Sequence, residues 1–439
     1  MIYTFYEILL LVVLILSLVI KIPLNYFNRI FILILITLFV FYSPVNSVVT
    51  EWEYFVKLSC LIIGVACINF KPQFVVTSTE ILIMCVILAS MVMVSCTNLL
   101  GLYLCLELQS LSVFILLARK RQNIDKVEAS LKYFVLSSIS SGLYLLGASL
   151  MFMNTGSCDY IPLSYTGYSI EKSLLIVALL FKLAASPFHF WAPDVYQGSD
   201  NKALIVLGTL PKISIFGIFI ILFPINKLVM IATILSLLVG AIGAINQANF
   251  KRLLAYSSIL GMGFVLFGLN TMCYQGLEGG LIYLIIYLVT FLAIIIVSEI
   301  IIKENSLIIE LSSFLSYNKI LLSLFTLLIF SLAGIPPLGG FIAKWFVISS
   351  AITQGFIISS ILSIICAMVA GVYYLRLIKI SYFEYDKSFL MWKKVLLGKE
   401  DIFYVPSVAL GCIVYFITFL LLSPQVIYEI THYSAISIF

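Results

Sequence analysis

The stretch LLIVALLFKLAASPF, residues 174–188, decides how this chain is read: Lys182 stands alone in an apolar run that closes on Ser186-Pro187. Two further stretches repeat the anomaly, ALIVLGTLPKISIFGIF over 203–219 around Lys212 and LAGIPPLGGFIAKWFVI over 332–348 around Lys344. A charged side chain at the middle of a bilayer costs roughly 3 kcal/mol even on lenient insertion scales, so it is tolerated only where it faces protein or water. Glu107, inside LLGLYLCLELQSLSVFILL over 99–117, adds a carboxylate to the set. Together these groups suggest a path for ions or protons through a membrane.

Composition fixes the class. Of 439 residues, 63% are hydrophobic and only 10% charged, against about 25% charged in soluble domains. A transmembrane helix needs about 20 largely apolar residues. On that criterion about fourteen spans are expected, near 2–20, 29–43, 54–70, 78–96, 98–117, 129–150, 171–190, 203–224, 227–247, 250–269, 279–302, 319–350, 355–380 and 402–422. The runs are continuously apolar and lack a period of two, which excludes a membrane barrel. The expected fold is an all-α polytopic membrane protein.

Loop charge sets its orientation. Beyond the intramembrane lysines, only Lys57, Lys172 and Lys227 flank loops on the amino-terminal side; the other Lys and Arg, among them Arg119, Lys120, Arg121, Lys126, Lys251, Arg252, Lys387, Lys393, Lys394 and Lys399, fall opposite. By the positive-inside rule both termini face the outer compartment. The net charge of +5 follows from this asymmetry and, being spread over several loops, gives no support for nucleic-acid binding. The first apolar segment has no basic leader region and no small-residue cleavage site, so a retained helix is expected. With no Arg/Ser-rich transit peptide ahead of it, synthesis inside an organelle or a bacterium fits.

Cofactor chemistry finds little purchase. The nine cysteines form no CxxC pair to hold zinc or a cluster, and His189 and His432 are too few and too distant for a haem pair. GMGFVLFG, beginning at Gly261 and Gly263, lies within an expected helix with no strand before it; helix packing, not dinucleotide binding, is its expected role.

The lysine-bearing spans are irregular. Proline lacks a donor and clashes with the preceding turn, so the seventh span should break at Ser186-Pro187. The twelfth span overshoots a core of about 30 Å and carries Gly334-Ile335-Pro336-Pro337-Leu338-Gly339-Gly340 ahead of Lys344. Two half-helices with an unwound link are expected, a device that survives only inside protein or beside a water-filled cavity. Interrupted helices at matching places in two halves point to inverted repeats. The chain is therefore divided into an N-terminal segment (1–77), a first bundle of spans 4–8 (78–225), a second of spans 9–13 (226–380) and a basic loop with a last helix (381–439).

Proton transfer is the chemistry these residues can do. Leaving water favours a neutral lysine amine, and a neighbouring carboxylate favours the ammonium, so an acid–lysine pair on adjacent helices is a tunable store for one proton. Glu107 and Lys182 form that store, Lys212 accepts from it through water, and Lys344 passes the proton on. Arginine does not deprotonate and could not serve. Simpler roles stand beside these: interfacial snorkelling for the lysines, a structural counter-ion for Glu107, and satisfaction of freed carbonyls for His189 in SPFHFWAP. Glu80 and Glu299, near span ends, are expected to be solvated.

LYLCLELQSL, LKYFVLSSISSGLYLLG, FKLAASPFHFWAPDVYQGSD, AINQANFKRLLAYSSI and SLAGIPPLGGFIAKWF, in this order and spacing, resemble the NADH dehydrogenase subunit 2 family of respiratory complex I. The resemblance runs from the fourth to the thirteenth span. It implies a fourteen-helix, antiporter-like, proton-translocating subunit of NADH:ubiquinone reductase, driven by quinone reduction elsewhere. It further implies that Glu107, Lys182, Lys212 and Lys344 are its key relay residues. NADH, FMN, the iron–sulfur clusters and ubiquinone would belong to partner subunits, with other membrane-arm subunits, including flanking antiporter-like ones, and lipids around this chain. The mitochondrial inner membrane is the implied location, with both termini toward the intermembrane space; a plastid thylakoid or bacterial inner membrane is the alternative. Lys344, where one antiporter-like sibling would carry glutamate, and the short tail after the last span set this chain apart from two siblings. The remaining alternatives are a stand-alone or multisubunit cation/proton antiporter, and the equivalent subunit of a plastid or hydrogenase complex. A sodium-coupled exchanger would be expected to carry carboxylates at the midplane breaks, where this chain has lysines.

Overall fold

The computed structural model describes residues 51–69, 78–119, 122–159, 170–222, 227–271, 273–301, 307–313, 319–383 and 424–436, with a few positions near 10–15 and 411–418. Apart from those few positions, the expected first, second and fourteenth spans lie outside the described residues, as does the 380–402 loop beyond Phe383.

Helices dominate what is described: α1 (Glu51–Asn69), α2 (Ser78–Ser95), α3 (Leu99–Leu117), α4 (Ile124–Thr155), α5 (Ile170–Lys182), α6 (Trp191–Gly198), α7 (Asn201–Leu222), α8 (Lys227–Ile245), α9 (Phe250–Asn270), α10 (Tyr274–Ile301), α11 (Lys319–Ala333), α12 (Gly339–Thr353), α13 (Ile357–Phe383) and α14 (Gln425–Ile436). Among the described residues, nine helices are long and apolar enough to cross a membrane, and α11 and α12 are shorter apolar helices. The third to thirteenth spans are thus present; the seventh is interrupted after α5, with α6 following the break, and the twelfth is split into α11 and α12.

The described chain divides into two compact units, one drawn from Met1–Trp191, Gly198–Ala232 and Ile430–Phe439, the other from Ala192–Gln197 and Thr233–Glu429. In the first unit α7 packs on α1, α2, α3 and α5, while α4 packs on α3 and α5. The apolar window of α7 is wholly buried in protein. In the second unit α10 packs on α9, α11 and α12, and α13 on α11 and α12. Its helices approach closely: a Cβ on Gly240 would lie 2.6 Å from the Leu260 backbone nitrogen, and one on Gly261 would lie 3.1 Å from the Tyr287 ring. Gly261 and Gly263 are packing glycines of α9, as the sequence led us to expect.

Each break follows one pattern of backbone bonds. At the end of α5, Ala184 takes the left-handed φ of 59°. Its N–H donates to Phe181 O, Ala185 N–H donates to Leu180 O, and Phe188 N–H donates to Ala185 O. At the end of α11, Gly334 takes φ 83°. Gly334 N–H donates to Ser331 O, Ile335 N–H to Phe330 O, and Leu338 N–H to Ile335 O. These are Schellman caps, in which a left-handed residue folds the chain back onto the last carbonyls. By bond pattern, Ala184-Ala185-Ser186-Pro187-Phe188 corresponds residue for residue to Gly334-Ile335-Pro336-Pro337-Leu338.

The carbonyls facing each break need further donors, because the end of a helix gathers partial negative charge. In the first unit Trp191 Nε1 donates to Phe181 O at 3.1 Å. In the second, the Lys344 ammonium reaches back from α12 to donate to Leu332 O at 3.1 Å and Ala333 O at 2.8 Å. The chain meets one structural demand with an indole in one place and a charge in the other.

Gly340→Ala should prevent α12 from seating, since the new Cβ would overlap the Ser331 carbonyl, whereas Gly371→Ala enters open space. Native gels of solubilised membranes should show assembled protein lost in the first variant and retained in the second. Trp191→Phe keeps the ring and removes the donor, leaving a carbonyl unsatisfied at about 1–3 kcal/mol. Hydrogen exchange of the amides near 180–185 should then quicken by about tenfold or more; unchanged exchange would remove the indole from the cap.

Candidate proton-relay site

In the first unit, α3, α4, α5 and α7 and the first residue of α6 enclose a small cavity. Gln109, Ser110, Tyr133, Ser137, Phe181, Lys182, Trp191, Leu207 and Pro211 contribute to its lining, and it has room for about one water molecule. Its polar groups arise from two local features. Helical spacing brings Ser137 of α4 and Ser110 of α3 to the same space, and Pro211, inside α7, lacks the N–H that would otherwise bond the Leu207 carbonyl.

Lys182 is the last residue of α5 and borders this cavity. Its stem is half-buried, but its Nζ is shielded from solvent and has no hydrogen-bond partner among the described residues. An unsatisfied buried polar group costs about 1–3 kcal/mol, and more when charged. Glu107 acts on Lys182 through its field. Its own polar neighbour is Ser110, whose hydroxyl donates to Glu107 Oε2 at 3.3 Å. The acid and the lysine therefore meet across a serine and a cavity, where the sequence suggested a pair on adjacent helices.

Lys212 lies one residue beyond Pro211 and is buried to 3% exposure. Two residues on, Ser214 accepts a hydrogen bond from Gln109 Nε2 at 3.3 Å, tying α7 to the α3 face that carries Ser110. The elements bearing Glu107, Lys182 and Lys212 thus converge within the first unit.

Lys344 belongs to the second unit. It is 5% exposed, bonded to the α11 carbonyls described above, and its Nζ sits 5.6 Å from the centre of the Phe264 ring. Snorkelling to an interface is excluded for this residue. His189 lies in the turn after α5, buried, with Nδ1 unpartnered among the described residues. Trp191 holds the Phe181 carbonyl, and His189 has the Pro187 backbone at the break as its hydrogen-bond neighbour.

Two readings change. Glu80, expected to be solvated, is fully buried and accepts a 2.7 Å ion pair from Lys202 of α7. Its partner lies 122 residues along the chain, beyond what local position can reveal. Glu299 is half-buried, with Oε2 shielded. Trp191 was missed altogether. The available signal was an indole donor a few residues after a proline break.

Comparison with known proteins agrees with this architecture. Residues 96–370 match the transmembrane family described as NADH:quinone oxidoreductase/Mrp antiporter. The chain is 39% identical over 376 residues to NADH-ubiquinone oxidoreductase chain 2 of Metridium senile, covering 82% of this chain and 98% of that one. It is 36% identical to NADH-quinone oxidoreductase subunit N of Pelagibacter ubique, covering 79% of this chain and 80% of that one. Among solved structures, a chain of respiratory complex I from Thermus thermophilus shares the fold with a TM-score of 0.83 at 24% identity, over 98% of this chain and 99% of that one. A chain of the Mrp complex from Dietzia shares it with a TM-score of 0.81 at 17% identity, over 99% and 97%. This multi-pass membrane protein belongs to the chain 2/subunit N family of antiporter-like membrane subunits of NADH:quinone oxidoreductase, respiratory complex I.

Proposed function

We propose that this chain translocates protons in the membrane arm of complex I, with Lys182 as the buried proton carrier of its first unit. The observation that carries the reading is a shielded amine with no protein partner, beside a cavity sized for water and within the field of Glu107. When Glu107 attracts it, Lys182 holds a proton as ammonium; when that attraction weakens, burial favours release to a cavity water. Glu107 sets the affinity, Ser110 orients its carboxylate, Lys212 receives on the α7 side, and Lys344 is the corresponding cation of the second unit. His189, with a free ring nitrogen, is a further relay element at the break. The shared bond pattern of the two breaks supports two bundles, 78–225 and 226–380, related as inverted repeats.

Redox chemistry belongs to the partner subunits, which hold NADH, FMN, the iron–sulfur clusters and ubiquinone; quinone reduction there supplies the driving force. The neighbours in the membrane are the other antiporter-like subunits and lipid. The location is the mitochondrial inner membrane with both termini toward the intermembrane space, a reading supported by the one-sided basic loops. The high identity over nearly the whole of a chain 2 relative favours a complex I subunit over an independent antiporter of the same fold.

Lys182→Met, in the assembled complex in closed vesicles, should lower NADH-driven proton translocation by about a hundredfold with complex content unchanged; full translocation would refute the carrier role. Glu107→Gln should lower it less. Combined with Lys182→Met it should add almost nothing, because coupled residues are non-additive; fully additive losses would separate the two.

A further inference from the structure

From the geometry we infer that the buried Glu80–Lys202 pair is the proton-loading site of the first unit, feeding Lys212 along α7. This rests on the relay reading of Lys212 and extends it to the basic-loop side of the membrane.

The pair is unusual for a structural clamp. Glu80 is fully buried, Lys202 is 17% exposed, and their charged atoms are 2.7 Å apart. Replacing a buried ion pair with apolar residues is often neutral or stabilising, so stability alone does not account for it. Glu80 stands in the first turn of α2, where the helix field favours an acid. Lys202 is the second residue of α7, at the end of a helix that repels a cation. Its ammonium is held against that field by Glu80.

The polar line continues inward from Lys202. Thr209 lies two turns along the same face of α7, completely buried, and Lys212 follows one turn later. Cys67 of α1 neighbours both Lys202 and Thr209, joining the two across the α1–α7 contact. Lys202 and Lys212 are about 15 Å apart along the helix. Long side chains in a helix lean toward its amino terminus, which carries the Lys212 ammonium back toward Thr209 and the Lys202 ammonium out toward the entrance, so that Cys67 of α1, beside both, spans the interval between Lys202 and Thr209. The Thr209 hydroxyl donates to Ile205 O at 2.7 Å and keeps its lone pairs for a proton arriving from the loading pair.

Proton balance is simple. The Lys202 ammonium gives a proton through Thr209 to the Lys212 amine, and Lys202, the exposed member of the pair, takes one back from solution. Glu80 stays a carboxylate throughout and holds the restored ammonium. One proton moves inward from solution and no charge is left at the entrance.

The test uses Glu80→Gln with Lys202→Gln, which preserves a hydrogen-bonded contact between α2 and α7 but cannot titrate, together with Thr209→Val. In vesicles containing the assembled complex, each should lower protons moved per NADH oxidised by about tenfold, with complex content unchanged and a larger rate decrease in heavy water than the parent shows. Undiminished translocation in both variants would overturn the loading site, and loss of assembled complex in the neutral double variant would assign the pair a clamping role instead. Lys182→Met, measured in parallel, separates this failure from failure of the relay itself: translocation lost there but intact in the Glu80 and Lys202 variants rejects only the entrance.

Discussion

A cation can stay inside an apolar protein only where oxygen atoms meet it, and this requirement organises what can be described of the chain. Continuous helices hide their carbonyls in internal bonds. Interrupting them exposes carbonyls within the membrane-spanning layer, and at both interruptions the exposed oxygens acquire a side-chain donor. The breaks are therefore part of the electrostatic design, and the proline-rich sequences that create them follow from it.

The two breaks share their backbone bonds but differ in who completes them. In the second unit the lysine itself caps the helix end, so Lys344 has strong acceptors in place. In the first, Trp191 has taken that task, and Lys182 is left with a cavity, a distant carboxylate and no direct partner. A charge that is already satisfied resists losing its proton. One with no protein partner exchanges it more readily. In the proposed relay, this asymmetry gives Lys182 the more labile role and Lys344 the more anchored one.

Much of this was legible in residue order. Long apolar runs gave the third to thirteenth spans, and Ser186-Pro187 and the Gly334–Gly340 segment gave both interruptions, because proline and glycine act on their own backbone. Lone lysines in apolar surroundings marked the residues of the proposed relay for the same local reason. What escaped depends on tertiary neighbours. Glu80 looked solvated because it begins a span, but α7 covers it and supplies Lys202. Trp191 was passed over because its partner appears only when the turn after Ala184 brings its indole to Phe181. Pro211 sits within an unbroken α7, where a proline rule alone would have ended the helix; with Leu207, whose carbonyl loses its usual helical donor, it lines the Lys182 cavity.

The central claim is that water, and no protein atom, is the immediate partner of Lys182. A density map of the complex in lipid, sharp enough to show ordered solvent, tests it directly. The account predicts a water within about 3.2 Å of Lys182 Nζ, bonded also to the cavity oxygens of Ser110 or Ser137. A dry cavity, or a Lys182 ammonium turned toward lipid, would contradict it.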